Sequence, residues 1–442
     1  MAGPSLQRLR SHSWDPIGSA RVTDQPPQNE PAKPAELGEL VRRPSVRNLL
    51  ISRACGSSGA VTLAIAMGVY VFDITGREFD IALVGLAEFL PTFLLVLWAG
   101  ALADRLDRRR MATVGYLAEG AIAIAIAWYV STGPISIGPL LGLTLAYGAA
   151  RGFLNPATRA LPANVVARQD LPRLVPALST VWQLSSVFAP IIVGSLYGIG
   201  PTWTFLAIAG LDIVAAITIS RVELHSQQKK SAVRPSISTA FEGLKLVRRT
   251  PLLLAAIGLD LFAVLLGGVV ALAPAIASNL LETGESSAFW MRSAGGAGAA
   301  ITALFLARTP ITRHVGRRLL QAVAVFGMLT IAIAFSRNLI ITLVLFGGLA
   351  AADMISVFVR ATIVPLATPD SLRGRVLAVE AVFIGASNEL GAFESGVTAE
   401  WFGLAPAIAV SGIATIAVVV AFVTLVPDLA KLDRFDDVMT DD

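Results

Sequence analysis

The sequence predicts an all-α membrane protein of twelve transmembrane helices arranged as two six-helix pseudo-repeats. Three observations carry that expectation. Hydrophobic residues make up 55% of the 442 and charged residues only 15%, with a mean hydropathy of +0.69, well above a water-soluble chain. The apolar residues fall into runs of about the 17 to 25 residues that a helix needs to cross a bilayer. A polar signature also recurs late in the chain at the same place relative to the runs around it. A membrane barrel is excluded, because its strands would be about ten residues long with alternating polarity.

Residues 1–47 hold no apolar run, so they are not a cleavable leader; rich in proline and polar residues, they read as a disordered cytoplasmic tail. The first bundle, 48–220, contains six runs: α1 at 49–72, α2 at 81–103, α3 at 111–130, α4 at 137–161, α5 at 171–197 and α6 at 202–219. Residues 221–250 are the longest polar interruption after the tail and read as a cytoplasmic linker. The second bundle, 251–426, repeats the count: α7 at 252–277, α8 at 288–307, α9 at 319–335, α10 at 339–364, α11 at 376–397 and α12 at 401–426. Residues 427–442 form an acidic cytoplasmic tail. Of the 35 Lys and Arg, all but Arg77, Arg292 and Arg337 fall on the set of loops that includes both termini. The positive-inside rule therefore puts both termini in the cytoplasm, in a multi-pass protein of the cell's inner membrane.

The halves look like repeats. α4 runs into RALPANVVARQDLPR and α10 into RATIVPLATPDSLR, so that Arg159 matches Arg360, Asp170 matches Asp370 and Arg173 matches Arg373 at offsets of about 200 residues. Between α2 and α3 stands GALADRLDRRR, which places six charges in the seven residues from Asp104 to Arg110. As a bare charge cluster it is a positive-inside anchor. Its spacing also resembles the signature of the major facilitator superfamily, approximately G-x-L-x-D-R-x-G-R-[RK], with Gly100, Leu102, Asp104, Arg105, Arg108 and Arg109 in register and Asp107 where the family has Gly.

Within that resemblance the loop is a conformational latch, its Asp reaching a helix of the other half and its arginines holding the cytoplasmic ends together. A second, partial match is the exporter signature on α5, of which Pro190 and Gly194 remain. The stretch TPDSLRGRVLAVEAVFIGASNELGAFESG is similar to the branch that contains the enterobactin exporter and drug:proton antiporters. The resemblance covers residues 45–426 and implies the major facilitator fold, a secondary transporter working by alternating access, and proton-driven export of a small amphiphilic compound, drug-like or a siderophore. An uptake symporter and a non-transporting receptor or scaffold remain as alternatives. No cofactor is expected beyond the proton gradient; the expected partners are the substrate, protons and the bilayer, not nucleic acid, and the chain is expected to be a monomer. Without a nucleophile-base pair, phosphate loop or metal cluster it is not expected to be an enzyme, and the lone Cys55 allows no intrachain disulfide.

The mechanism must lie in ionisable residues inside the runs, where each is costly unless paired, neutralised or hydrated. They are Arg53, Glu88, Glu119, Arg151, Asp212, Asp260, Asp353, Glu380, Glu389 and Glu394. The family's cavity is lined by α1, α4, α7 and α10, where this chain puts Arg53 and Arg151 in one half and Asp260 and Asp353 in the other. His12, His225 and His314 lie outside the runs, so a proton must travel on carboxylates. The candidates are Asp260, Asp353 and Glu389, with Glu88 and Glu119 read as structural. Glu380, Ser387 and Glu394 share one face of α11 and suit a water path or a contact with α2. Arg151 and Asp353, at equal depth, are the candidate cavity gate.

Overall fold

The computed structural model describes residues 37–103, 106–133, 136–167, 170–224, 237–284 and 286–438, and every regular element among them is helical. All twelve apolar runs are helices. The first half comprises α1 Pro44–Thr75, α2 Glu78–Ala103, α3 Arg108–Ser131, α4 Gly138–Ala160, α5 Leu171–Gly194 and α6 Pro201–Ser220. The second comprises α7, which starts as Pro251–Leu266, then α8 Ser287–Arg308, α9 Val315–Phe335, α10 Leu339–Leu366, α11 Asp370–Phe402 and α12 Leu404–Leu425. Among the described residues nine helices are long and apolar enough to cross a membrane. α2, α4 and α8 fall outside that set; α4 and α8 each carry an arginine, Arg151 and Arg292, among small residues.

The sequence predicts α7 as one run, but the helix breaks at Gly267 and continues as a tight turn, Gly268–Leu272, before Ala273–Ala275 and Ile276–Leu280. A close approach imposes the break, since a Cβ on Gly268 would fall on the Gly391 carbonyl of α11. Such mid-helix irregularity is tolerated where neighbouring helices cover the freed backbone.

The repeat reappears as packing. In the first half α2 packs on α4 and α3 on α6; in the second α8 packs on α10 and α9 on α12. Each crossing depends on small residues. A Cβ on Gly148 of α4 would collide with the Glu88 carbonyl of α2, one on Gly298 of α8 with Gly347 of α10, and one on Gly412 of α12 would lie 2.6 Å from the Gly327 carbonyl. Close backbone approach of this kind drives helix association in lipid, where lipid tails compete for apolar side chains.

The segments flanking the bundles, 37–47 and 427–438, pack onto them. Residues 37–47, read as part of a disordered tail, form a short helix, Leu37–Arg42, and the first residues of α1, with Leu40 fully buried; residues 1–36 lie outside the described residues. Arg43 pairs with Asp170 at 3.2 Å, which gives one member of the repeated Asp-x-x-Arg a concrete role. The linker contains an amphipathic helix, Ile237–Arg249, whose Gly243 abuts Arg375 and whose Glu242 pairs with the same arginine. The C-terminal segment folds back onto the α8–α9 connection: Asp433 accepts the His314 backbone N–H at 2.9 Å, and that bond holds its carboxyl below the usual carboxylate range. All of these contacts cluster at one end of the bundle, called here the terminal end; the opposite end is the distal end.

The two ends differ. One hydrophobic cluster at the distal end draws on both halves, with Phe72 and Phe205 from the first and Ala275, Phe289 and Leu404 from the second. At the terminal end each half has a cluster of its own. The polar contacts between the halves agree. Arg77 reaches Glu400 at 3.3 Å, Asn279 reaches Glu78 at 3.2 Å, and the Phe79 and Phe393 rings lie 6.1 Å apart, all toward the distal end. The halves are joined at the distal end and have separate cores at the terminal end.

Candidate functional site

Three groups of ionisable side chains are buried or part-buried among the helices. The first centres on Arg151 of α4. Its Nε lies 4.0 Å from Glu88 Oε1, and its guanidinium lies 5.9 Å from the Tyr147 ring centroid. The Gly148 approach presses α2 against α4 here, and Thr92 Oγ1 donates to the Gly148 carbonyl at 2.7 Å. Arg292 of α8 and Glu389 of α11 bring the second half into the same field: Arg292 lies within electrostatic reach of both Glu88 and Glu389. Arg292 sits five residues inside α8, so assigning it to a loop in the charge count hid an intramembrane cation.

The second group is one helix layer behind. Glu119 of α3 is 1% exposed and Asp212 of α6 fully buried, and all four of their carboxyl oxygens lack a hydrogen-bond partner among the described residues. Gly59 of α1 leaves the space for Asp212, whose Oδ1 would lie 2.7 Å from a Cβ there. Arg151 lies within electrostatic reach of both carboxyls. Glu119 is read from sequence as structural; its unpartnered, buried carboxyl beside Asp212 makes it a further candidate. The available signal was the presence of one acid on each of the two packed helices, α3 and α6.

The third group is in the second half. Arg360 Nη2 lies 2.6 Å from Asp260 Oδ1, with both side chains about 95% buried (5% and 6% exposed). Arg360 Nε also donates to Ser356 Oγ at 3.3 Å. Asp353 and Ser356 line the same narrow cavity as Asp260, a space of about 10 Å³ that suits a single water.

Among the described residues no ion pair joins Arg151 to Asp353: Arg151 pairs with Glu88, and Asp353 lines the cavity beside the Arg360–Asp260 pair. Glu389 faces α2 with its carboxylate 3.5 Å from where a Gly85 Cβ would be, and it shares that side of α11 with Gly385, Phe393 and Gly396. Glu380 lies instead within reach of Arg360. The contact with α2 thus belongs to the Glu389 face, not to the Glu380, Ser387 and Glu394 stripe.

The latch motif is partly visible. Asp104 and Arg105 lie outside the described residues, and Gly100 and Leu102 are in the last turns of α2. Arg108 donates to Asn164 at 2.9 Å and Arg109 to the Val222 carbonyl at 3.1 Å, both within the first half. Asp107, the departure from the family pattern, caps α3 by accepting the N–H groups of Arg109 and Arg110 at 2.9 and 3.2 Å. Asp and Gly are both tolerated at a helix N-cap, which explains how one stands in for the other here. Of the α5 pair, Gly194 admits the Phe289 ring of α8, 2.5 Å from a would-be Cβ, and so belongs to the distal closure.

Residues 40–440 match the family model described as transmembrane secretion effector. The chain belongs to that family of the major facilitator superfamily. The chain is similar to the multidrug efflux pump Tap of Mycolicibacterium fortuitum, 26% identical over 82% of this chain and 91% of that protein. Macrolide efflux protein A of Streptococcus pyogenes is 24% identical over 36% of this chain and 38% of its own length. A solved structure of the nucleoside transporter NupG superposes with a TM-score of 0.70 over 86% of this chain and 99% of that one at 12% identity, which shows the shared fold. This family member is a multi-pass membrane transporter, not an enzyme.

Proposed function

We propose that the protein exports small amphiphilic, drug-like compounds across the inner membrane in exchange for protons, with its terminal end in the cytoplasm. The orientation rests on the positive-inside bias and would make the present state inward-facing, ready to collect substrate from the cytoplasm. Export is favoured by the names of the relatives, a multidrug pump and a macrolide efflux protein. A siderophore is the other cargo consistent with the similarity to the enterobactin exporter.

Proton coupling rests on one observation: Glu119 and Asp212 are two buried carboxyls whose oxygens have no hydrogen-bond partner among the described residues. Burying an ionised carboxylate without a partner costs far more than burying the neutral acid. In this state the pair therefore holds protons, whereas Asp260 and Glu88 already face arginines. Arg151 is the natural switch. It pairs with Glu88 here, and a shift toward α3 and α6 would stabilise the ionised form of the Glu119–Asp212 pair and release a proton. Asp260, Asp353 and Glu389 stay as carriers on the other half.

The test uses cells expressing the protein, with accumulation of a labelled macrolide and of ethidium as readout. Expressing cells should accumulate less of at least one probe than control cells, and an uncoupler should erase the difference. Glu119→Gln and Asp212→Asn should insert normally but lose gradient-driven efflux. Efflux that survives the uncoupler, or persists undiminished in both variants, would overturn the coupling assignment.

A further inference from the structure

At the terminal end of the first half lies a cavity of about 190 Å³ between α1, α4 and α5. Its polar lining is Ser52 and Arg53 of α1, Tyr116 of α3, Thr158 and Arg159 of α4, and Ser179 of α5; the rest is apolar. No carboxylate lines it. Among the described residues Arg53 Nε is buried without a hydrogen-bond partner, and the charges that reach Arg53 are two more cations, Arg159 and Arg151, together with the Tyr116 phenol.

The internal repeat shows what is missing. Arg159 and Arg360 are repeat partners, 201 residues apart. In the second half, Arg360 is neutralised by Asp260 of α7. The residue of α1 at the same offset from Asp260 is Gly59, and the α1 side chain that shares the cavity with Arg159 is Arg53, a like charge. The exposed Arg159 guanidinium and Arg53 repel each other across this space, and Arg53, with its Nε buried, lacks the counterion that burial demands. An anion between them would remove both costs through charge-assisted hydrogen bonds, which arginine makes best with planar or tetrahedral oxyanions.

We propose that this cavity binds the oxyanion head of an amphiphile, a phosphate or carboxylate seated between Arg53 and Arg159. Its volume decides how much of the ligand enters. Drug-sized ligands need about 300 to 1,000 Å³, so this space takes a head group, with the apolar remainder lying along the Val175 and Leu178 side of α5. The site needs no proton coupling and does not depend on the transport reading. A lipid headgroup from the adjoining leaflet and a free anion share this chemistry.

The test uses the full-length protein in a neutral detergent, with native mass spectrometry and thermal unfolding as readouts. The probes are phosphatidylglycerol, inorganic phosphate, laurate, and phosphatidylcholine as a zwitterionic control. Wild type should retain, and be stabilised by, at least one anionic probe over phosphatidylcholine. Preference for phosphatidylglycerol over phosphate and laurate identifies a lipid headgroup; equal stabilisation by phosphate identifies a free anion; preference for laurate identifies a carboxylate amphiphile. Arg159→Gln, at an exposed position that folding tolerates, should weaken the favoured probe by about tenfold or more, the equivalent of one charge-assisted hydrogen bond. Arg53→Lys should weaken it less than Arg53→Gln. Equal binding of the anionic probes by wild type and Arg159→Gln would overturn the proposal, as would wild type showing no preference for any anion.

Discussion

Asp260→Ala and Arg360→Ala are each expected to destabilise the folded protein by about 3 to 5 kcal/mol, since removing one member of a buried pair strands the other charge away from water. The pair is 2.6 Å long with both side chains about 95% buried. With Asp260 removed, Arg360 keeps the 3.3 Å bond to Ser356, and Asp353 and Glu380 lie within its electrostatic reach but make no ion pair with it among the described residues. An intact buried pair contributes little net stability, because desolvation offsets most of its attraction. The double substitution Asp260→Leu with Arg360→Met, similar in volume and apolar, should therefore unfold near the wild-type temperature while both single variants unfold well below it. Additive losses in the double variant would show that the pair does not act as a unit.

Arg151→Ala should abolish efflux while leaving a folded protein. Arg151 is the cation within reach of Glu88, Glu119 and Asp212 together, so its loss removes the group that would exchange one set of carboxyls for the other. Arg151→Lys keeps the charge but not the planar fork, and should retain partial efflux. A further expectation concerns the opposite state, in which the terminal halves of α4 and α10 come together. Arg151 and Asp353 each lie about 20 Å along their helices from the distal end, so depth permits them to meet there. We propose that they do, and that Arg151→Asp combined with Asp353→Arg recovers some of the efflux lost in Arg151→Asp alone. A swap no better than that single variant, with Arg151→Ala active, would remove Arg151 from the mechanism.

The architecture was legible because membrane helices announce themselves by apolar length. The apolar runs are helical, the α7 run in several pieces, and the repeat seen in Arg159 and Arg360 reappears as matched crossings of α2 with α4 and α8 with α10. Partnership was much less legible. Nothing in the spacing of Arg360 says that it meets Asp260, a hundred residues earlier on another helix. Arg292 was hidden by its nearness to a helix end, Glu119 by being read as structural, and Asp212 by having no partner in its own run. The break in α7 also escaped, because Gly267 and Gly268 interrupt no apolar run; only the approach of Gly391 requires it. Asp107 read as a flaw in a motif until its carboxylate was seen capping α3.

The account stands or falls on whether substrate and protons move in opposite directions through the same protein. The direct measurement is in proteoliposomes with an acidic lumen that contain a trapped pH indicator. A macrolide or ethidium is added outside, and substrate entry and lumen pH are followed together. The account predicts that substrate enters against its gradient while the lumen becomes more alkaline faster than in protein-free liposomes, and that Glu119→Gln with Asp212→Asn abolishes both signals. Substrate entry with no accompanying proton exit, or with protons entering alongside it, would contradict it.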